Sequence, residues 1–195
     1  MTANKKVTAQ VKALQTLSSN EGGSSETGAP PSTEKVSAAA IRNYAVVPAN
    51  PRYIDIPKLQ VHARILAMTV DEHNELKAPY GIYDAGWYSS SSLPGQNGAM
   101  LLDGHSGIGK THGIFHDIAK LAAGDQITIT RGDGQKFTYA VVKTAVMDVA
   151  KVDMSSTLVS QDTAKPGLSL ITCAGDQIPG TFSLKQRVVV YAVLQ

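Results

Sequence analysis

From about residue 48 onward, apolar and polar positions alternate in short runs. Tyr53-Ile54-Asp55-Ile56 and the first part of Val61-His62-Ala63-Arg64-Ile65-Leu66 show the period of two that a half-buried strand requires. Gln126-Ile127-Thr128-Ile129-Thr130 alternates strictly, Arg131-Gly132-Asp133-Gly134 reads as a turn, and Phe137-Thr138-Tyr139-Ala140-Val141-Val142 returns. This pattern predicts a hairpin. Met100-Leu101-Leu102 is an apolar run, and residues 168–172 and 188–193 are two further, largely apolar strands, the last long enough to be central. One helix is predicted over residues 113–121, where Ile114, Phe115, Ile118 and Leu121 share a face. Many short strands with few helices predict a mainly β fold, a barrel or a sandwich.

Two stretches lack this pattern. Residues 20–33 form a Gly/Ser/Pro/Thr tract that cannot bury enough surface to offset chain entropy. Residues 7–17 carry at most a weak helix pattern. Residues 1–47 are therefore expected to be a flexible linker or stalk, with residues 48–195 as the folded domain. Residues 148–167 are long, polar and weakly patterned, which in a compact domain points to a functional or partly helical segment. Because this segment leads directly into residues 168–172, it is a candidate wall for a substrate groove.

Composition narrows the function classes. At 195 residues there is room for one ordinary domain and a tail. A formal charge of +2, with no basic run longer than Lys5-Lys6, argues against nucleic acid as a partner. No stretch approaches the roughly 18 apolar residues of a membrane span, and residues 1–40 lack the apolar core of a signal peptide. The chain as given is expected to be soluble, with any membrane anchor of a full-length protein lying outside it. The single cysteine, Cys173, excludes an internal disulfide framework.

Cys173 ends the run Leu168-Ser169-Leu170-Ile171-Thr172-Cys173 and is followed by Ala174-Gly175-Asp176. A lone thiol is buried filler, a redox sensor or a nucleophile. A strand ending there, with a turn after it, puts the thiol at a sheet edge or mouth. His105 follows the run Leu101-Leu102-Asp103-Gly104 and precedes Ser106-Gly107. It is either a solvated loop histidine or an imidazole that protonates a leaving amine. Arg187 precedes Val188-Val189-Val190-Tyr191 and is either a charged edge group or a fixed donor for a developing oxyanion. Thr172 offers a hydroxyl or backbone donor beside the thiol, and Asp176 either orients Arg187 or caps a turn. His112 and His116 stand at i,i+4, but no Cys or Glu motif accompanies them, so a solvated helix face is favoured over a metal site. His62 and His73 have no supporting context. No metal and no cofactor are expected.

Taken together, these motifs resemble the sortases, cysteine transpeptidases of bacterial surfaces. The family's Thr-Leu-x-Thr-Cys signature appears as Ser169-Leu170-Ile171-Thr172-Cys173, with serine in place of the first threonine. Gly104-His105 matches the Gly-His that ends a strand, and Arg187 matches the arginine that opens the final strand. Ile56-Pro57-Lys58-Leu59-Gln60-Val61, Gly86-Trp87-Tyr88, Gly113-Ile114-Phe115 and Leu121-Ala122-Ala123-Gly124-Asp125 support the match, which covers about residues 50–195. The spacing is most similar to the class E and class F sortases. No equivalent of the calcium-binding carboxylate cluster of some class A members is found.

The resemblance implies an eight-stranded β-barrel with short helices and a flexible N-terminal segment. It also implies a two-step reaction on a Leu-Pro-x-Thr-Gly-type sorting signal, located at the extracytoplasmic cell surface. Cys173 would form a thioacyl enzyme, His105 would protonate the departing amine, and Arg187 would hold the oxyanion, with Thr172 and Asp176 as substrate-binding candidates. An amine from a cell-wall precursor or a pilin lysine would take the acyl group. A high thiol pKa and a low imidazole pKa would leave only a minority of molecules as the ion pair. Two other readings stand beside it. An L,D-transpeptidase-like acyltransferase lacks its usual motif spacing here, since Arg187 lies fourteen positions beyond Cys173. The other is a non-catalytic surface binding domain on the same barrel.

Overall fold

The computed structural model describes residues 30–71, 76–179 and 183–195. Residues 7–17, most of the 20–33 tract and His73 lie outside them. The described residues form ten strands: β1 (Pro51–Ile56), β2 (Val61–Met68), β3 (Ala85–Tyr88), β4 (Ala99–Asp103), β5 (Gly107–Ile108), β6 (Thr111–His112), β7 (Gln126–Arg131), β8 (Lys136–Asp148), β9 (Gly167–Gln177) and β10 (Leu184–Leu194). Eight of them close a barrel in the order β1-β2-β3-β4-β9-β10-β8-β7, and β5 and β6 form a small separate hairpin. Within the barrel, β2 runs parallel to β3 and β4 parallel to β9, while the other neighbours are antiparallel.

The alternating strands behave as their pattern requires. In β1 and β7, Ile54, Ile56, Ile127 and Ile129 are buried in the barrel. The intervening threonines face outward, and Thr128 and Thr138 share a 3.2 Å hydroxyl hydrogen bond across the hairpin. The largely apolar runs have a different cause, because they are covered on both faces. Met100, Leu102, Leu168, Leu170, Val188 and Val190 join the barrel interior. Their neighbours Leu101, Ile171, Val189 and Tyr191 face outward and pack with Tyr88 beneath Val152 and Leu158. Each fully buried Leu or Val side chain contributes about 1.5–3 kcal/mol.

The outer cover comes from residues 148–167, which contain 3-10 helices at Val149–Lys151 and Met154–Leu158. The segment is thus partly helical, as its weak patterning suggested. Residues 113–121 differ from expectation, forming turns and a 3-10 helix at Ile118–Lys120 in place of an α-helix. The stretch closes with i→i−3 bonds in place of an α-helical ladder: His116 N donates to Gly113 O, Ile118 N to Phe115 O and Leu121 N to Ile118 O, while Gly113, Ile114 and Phe115 N donate to Ser106, Ile82 and His105 O. Phe115, Ile118 and Leu121 are nonetheless buried in the interior, as the periodicity indicated.

In the stretch expected to be a linker, residues 30–47 lie against the barrel. Ser32 bridges Gly81, Ser37 caps the helix α1 (Ala38–Asn43), and the Tyr44 hydroxyl donates to Ile65 O at 2.7 Å. Arg52 Nε returns a bond to Tyr44 O at 2.6 Å. No helix among the described residues is long and apolar enough to cross a membrane.

Candidate active site

Cys173 and Arg187 are directly opposed partners in the antiparallel β9–β10 register. Side chains in such positions share one face with Cβ atoms about 5 Å apart. Ile171, two residues before Cys173, belongs to the outer apolar cluster, so period-two alternation puts the thiol on the outer face, beyond the covered patch. The Arg187 guanidinium is held in place rather than free. It donates to Leu184 O at 2.8 Å, Gln186 O at 2.9 Å and Ser183 Oγ at 3.3 Å.

Strand geometry departs from the sequence expectation here. β9 does not end at Cys173 but continues to Gln177, and β10 begins at Leu184, three residues before Arg187. Gly175 adopts φ +77°, and the register shifts between Leu184 and Gln186, which bends the extended arms. Asp176 is 89% exposed in its side chain and pairs with Lys185 at 3.8 Å, while Arg187 takes its partners elsewhere.

His105 follows β4, which lies parallel to β9 with Asp103 in register with Ile171. Two hydrogen bonds lock the histidine segment to the cysteine strand. Gly104 N donates to Ile171 O at 3.3 Å, and the buried Thr172 hydroxyl donates to Gly104 O at 2.7 Å. The Thr172 hydroxyl is therefore spent on joining the two segments. His105 Nε2–H donates to Pro79 O at 2.8 Å, which leaves Nδ1 with the lone pair in the neutral ring. Pro79 belongs to the β2–β3 connection, whose neighbours Tyr80 and Ile82 bond Ser32.

Burial sets the electrostatics. It pushes the Cys173 thiol above its ordinary pKa, the Arg187 charge and a hydrogen bond from the Leu184 backbone pull it down, and the nearby Asp103 carboxylate pushes it up. Burial also lowers the His105 pKa, partly offset by the Pro79 carbonyl. Both changes favour the neutral thiol and the neutral imidazole at rest.

Asp103 and Pro79 escaped the sequence reading. An aspartate before Gly-His carries no pattern of its own, and a carbonyl acceptor carries no residue signal at all. His112 and His116 stack at 3.6 Å between ring centroids beside the β5–β6 hairpin, and His116 Nδ1 bonds Ser106 O at 3.0 Å. His116 lies on a turn, not on a helix face. Among the described residues no three His, Cys, Asp or Glu side chains gather as a metal ion would need.

Comparison with known proteins places this architecture. A sortase-domain family model matches residues 54–195. The chain is 30% identical over 120 residues to sortase D of Bacillus subtilis (strain 168), a match covering 62% of this chain and 52% of that protein. The chain thus spans about half the length of the curated relative it matches. Among solved structures, a sortase D5 transpeptidase of Clostridium perfringens superposes with a TM-score of 0.54 at 24% identity, over 75% of this chain and 79% of that one. Sortase C-1 of Actinomyces oris gives a TM-score of 0.56 at 18% identity over 98% of both chains. At these identities the structural likeness bears on the fold. The matched residues run from β1 to β10 and carry His105, Cys173 and Arg187, and on that match the chain belongs to the sortase family.

Proposed function

We propose that residues 48–195 form a cysteine transpeptidase domain acting on a Leu-Pro-x-Thr-Gly-type sorting signal at the outer surface of the cell. The observation that carries this reading is the register pairing of Cys173 with Arg187, beside a histidine segment tied to the same strand through Thr172. The Cys173 thiolate attacks the Thr carbonyl, and a C–S bond forms as the tetrahedral oxyanion develops. Arg187, already oriented by three acceptors, supplies the donors that hold this charge. The C–N bond to glycine then breaks, and the His105 imidazolium gives its proton to the departing amine. An incoming amine, from a cell-wall precursor or a pilin lysine, attacks the thioester and releases the thiol.

The 148–167 segment covers the outer face next to Cys173 and serves as a wall for the peptide. The directions of the two pKa shifts make the thiolate–imidazolium pair a minority form, so turnover is slow. The finer likeness to class E and class F enzymes is a statement about peptide preference, which a peptide library read by mass spectrometry resolves. The reading as a whole is tested by intact mass after incubation with sorting-signal peptides. A thioester adduct on the wild type, absent in Cys173→Ala, is expected. No adduct with any such peptide favours a binding domain instead.

A further inference from the structure

Among the described residues, Asp103 is the carboxylate that acts on the thiol centre, and the reaction just described does not use it. It is the last residue of β4, paired with Gly86 of β3 on one side and with Ile171 of β9 on the other. Its register partner Ile171 puts the side chain on the outer face of the sheet, the face that carries Cys173 one pleat further on. The residue as a whole is half-buried, yet its Oδ1 is sealed from solvent and meets no hydrogen-bond partner among the described residues.

The slot around that oxygen is shaped by Gly86. A Cβ there would collide with Asp103 Oδ1 and would sit 2.8 Å from Met68 Cγ and 3.0 Å from Pro79 Cδ. An ionised carboxylate left in such a slot, with no donor for Oδ1, has lost its hydration without replacement. A neutral carboxylic acid has not.

We propose that Asp103 is a positioning residue of the Cys173 centre that works as a neutral carboxylic acid, and that loss of its proton sets an anion against the thiol and silences it. The proposal rests on the reading of Cys173 as the nucleophile. Burial holds the Asp103 carboxyl well above the usual carboxylate range, and its charge raises the thiol pKa, so the two groups act on each other directly.

The charged and titratable groups around it are few. β9 presents Cys173, β10 presents Arg187 opposite that thiol, and the segment after β4 presents His105. β3 presents Gly86 at the paired position, with Tyr88 two residues on and Asp84 two residues before. Asp84 is neutralised by the two-pronged contact of Arg64, at 2.8 and 2.7 Å. Arg187 faces the thiol and is oriented by Leu184, Gln186 and Ser183, and none of these three hydrogen bonds goes to Asp103.

The test is the pH dependence of Cys173 alkylation by iodoacetamide in wild type and in Asp103→Asn, which keeps the shape and removes the charge. The variant is expected to titrate about one pH unit lower, giving roughly ten-fold faster alkylation on the rising limb. Asp103→Ser must shift the same way, which guards against a folding defect in either variant. In the wild type, 13C NMR of the labelled aspartate carboxyl is expected to show ionisation well above that of an exposed aspartate and before the thiol. Superimposable alkylation profiles, or a carboxyl that ionises together with exposed aspartates, overturn the proposal. Alkylation needs no peptide, so a shifted profile without any thioester adduct would sink the transpeptidase reading and leave this one standing.

Discussion

The strands β4, β9 and β10 carry two faces that differ in kind. Toward the barrel interior they present Met100, Leu102, Leu168, Leu170, Val188 and Val190, all apolar and sealed. Toward the outside the same strands present Leu101, Ile171 and Val189 under a cover, and then, where the cover ends, Asp103, Cys173 and Arg187. The comparison teaches that alternate residues of one strand can serve two ends, one set holding the fold together and the other carrying the proposed chemistry. A thiol and an arginine are fixed to the rigid wall of a barrel, with nothing but the pleat separating them from the core.

If this division is sound, Cys173→Ala should lower peptide cleavage more than about 1,000-fold while leaving the melting temperature within a few degrees, as calorimetry would check. Loss of both activity and fold would show that the outer face is structural after all. Arg187→Ala should cost about 100- to 1,000-fold in kcat. Arg187→Lys should restore little of it, because an ammonium cannot reproduce the fork to Leu184 O, Gln186 O and Ser183 Oγ. Single-turnover kinetics separate this from weakened peptide binding.

The opposite pattern is expected one residue away from the outer face. Leu170→Ala opens a cavity in the interior and should destabilise the fold by about 2–5 kcal/mol in denaturant titration, with activity per folded molecule nearly unchanged. A pH profile sharpens the picture of the outer face. The active pair needs a thiolate and an imidazolium. Between the lowered His105 pKa and the raised Cys173 pKa, rising pH gains one as fast as it loses the other, so kcat/KM is level except for a step down where Asp103 ionises. Outside that interval it falls about ten-fold per pH unit on both sides, and a sharp peak near neutrality would contradict the burial argument. The smallest effect belongs to the cover. Tyr191→Phe loses the 3.0 Å hydrogen bond shared with Ser156 and should cost about 1 kcal/mol, read as a small shift in midpoint.

How much of this the sequence disclosed depends on which physical signal was at stake. Period-two alternation placed β1, β2, β7 and β8, because burial of one face dictates it directly. The largely apolar runs placed β4, β9 and β10 only over their doubly covered parts. The polar arms of β9 beyond Cys173 and of β10 before Arg187 carry no burial signal, so the strand was expected to end four residues too early. The helix expected over residues 113–121 failed for a related reason. Side-chain periodicity correctly marked Phe115, Ile118 and Leu121 as core, but it does not tell an α-helix from successive i→i−3 turns that bury the same residues. In the candidate site, Cys173, His105 and Arg187 were singled out by their places at the ends of apolar runs and by the motifs they share with sortases. Asp103 was not, since its meaning lies in Gly86 and in a parallel strand far along the chain.

That parallel pairing bears on how the molecule is made. The bond from Thr172 to Gly104 closes a stretch of 68 residues, and no short turn can bring β4 and β9 together. The hairpin of β7 and β8 is local and forms at small entropic cost, whereas the β4–β9 ladder must wait for the intervening chain to be in hand. A folding chain therefore acquires its barrel wall in pieces and its thiol–histidine alignment among the last of them. Until then Cys173 is an ordinary exposed thiol without Arg187 and the histidine segment beside it, and under the proposed function its transpeptidation begins only with completion of the fold.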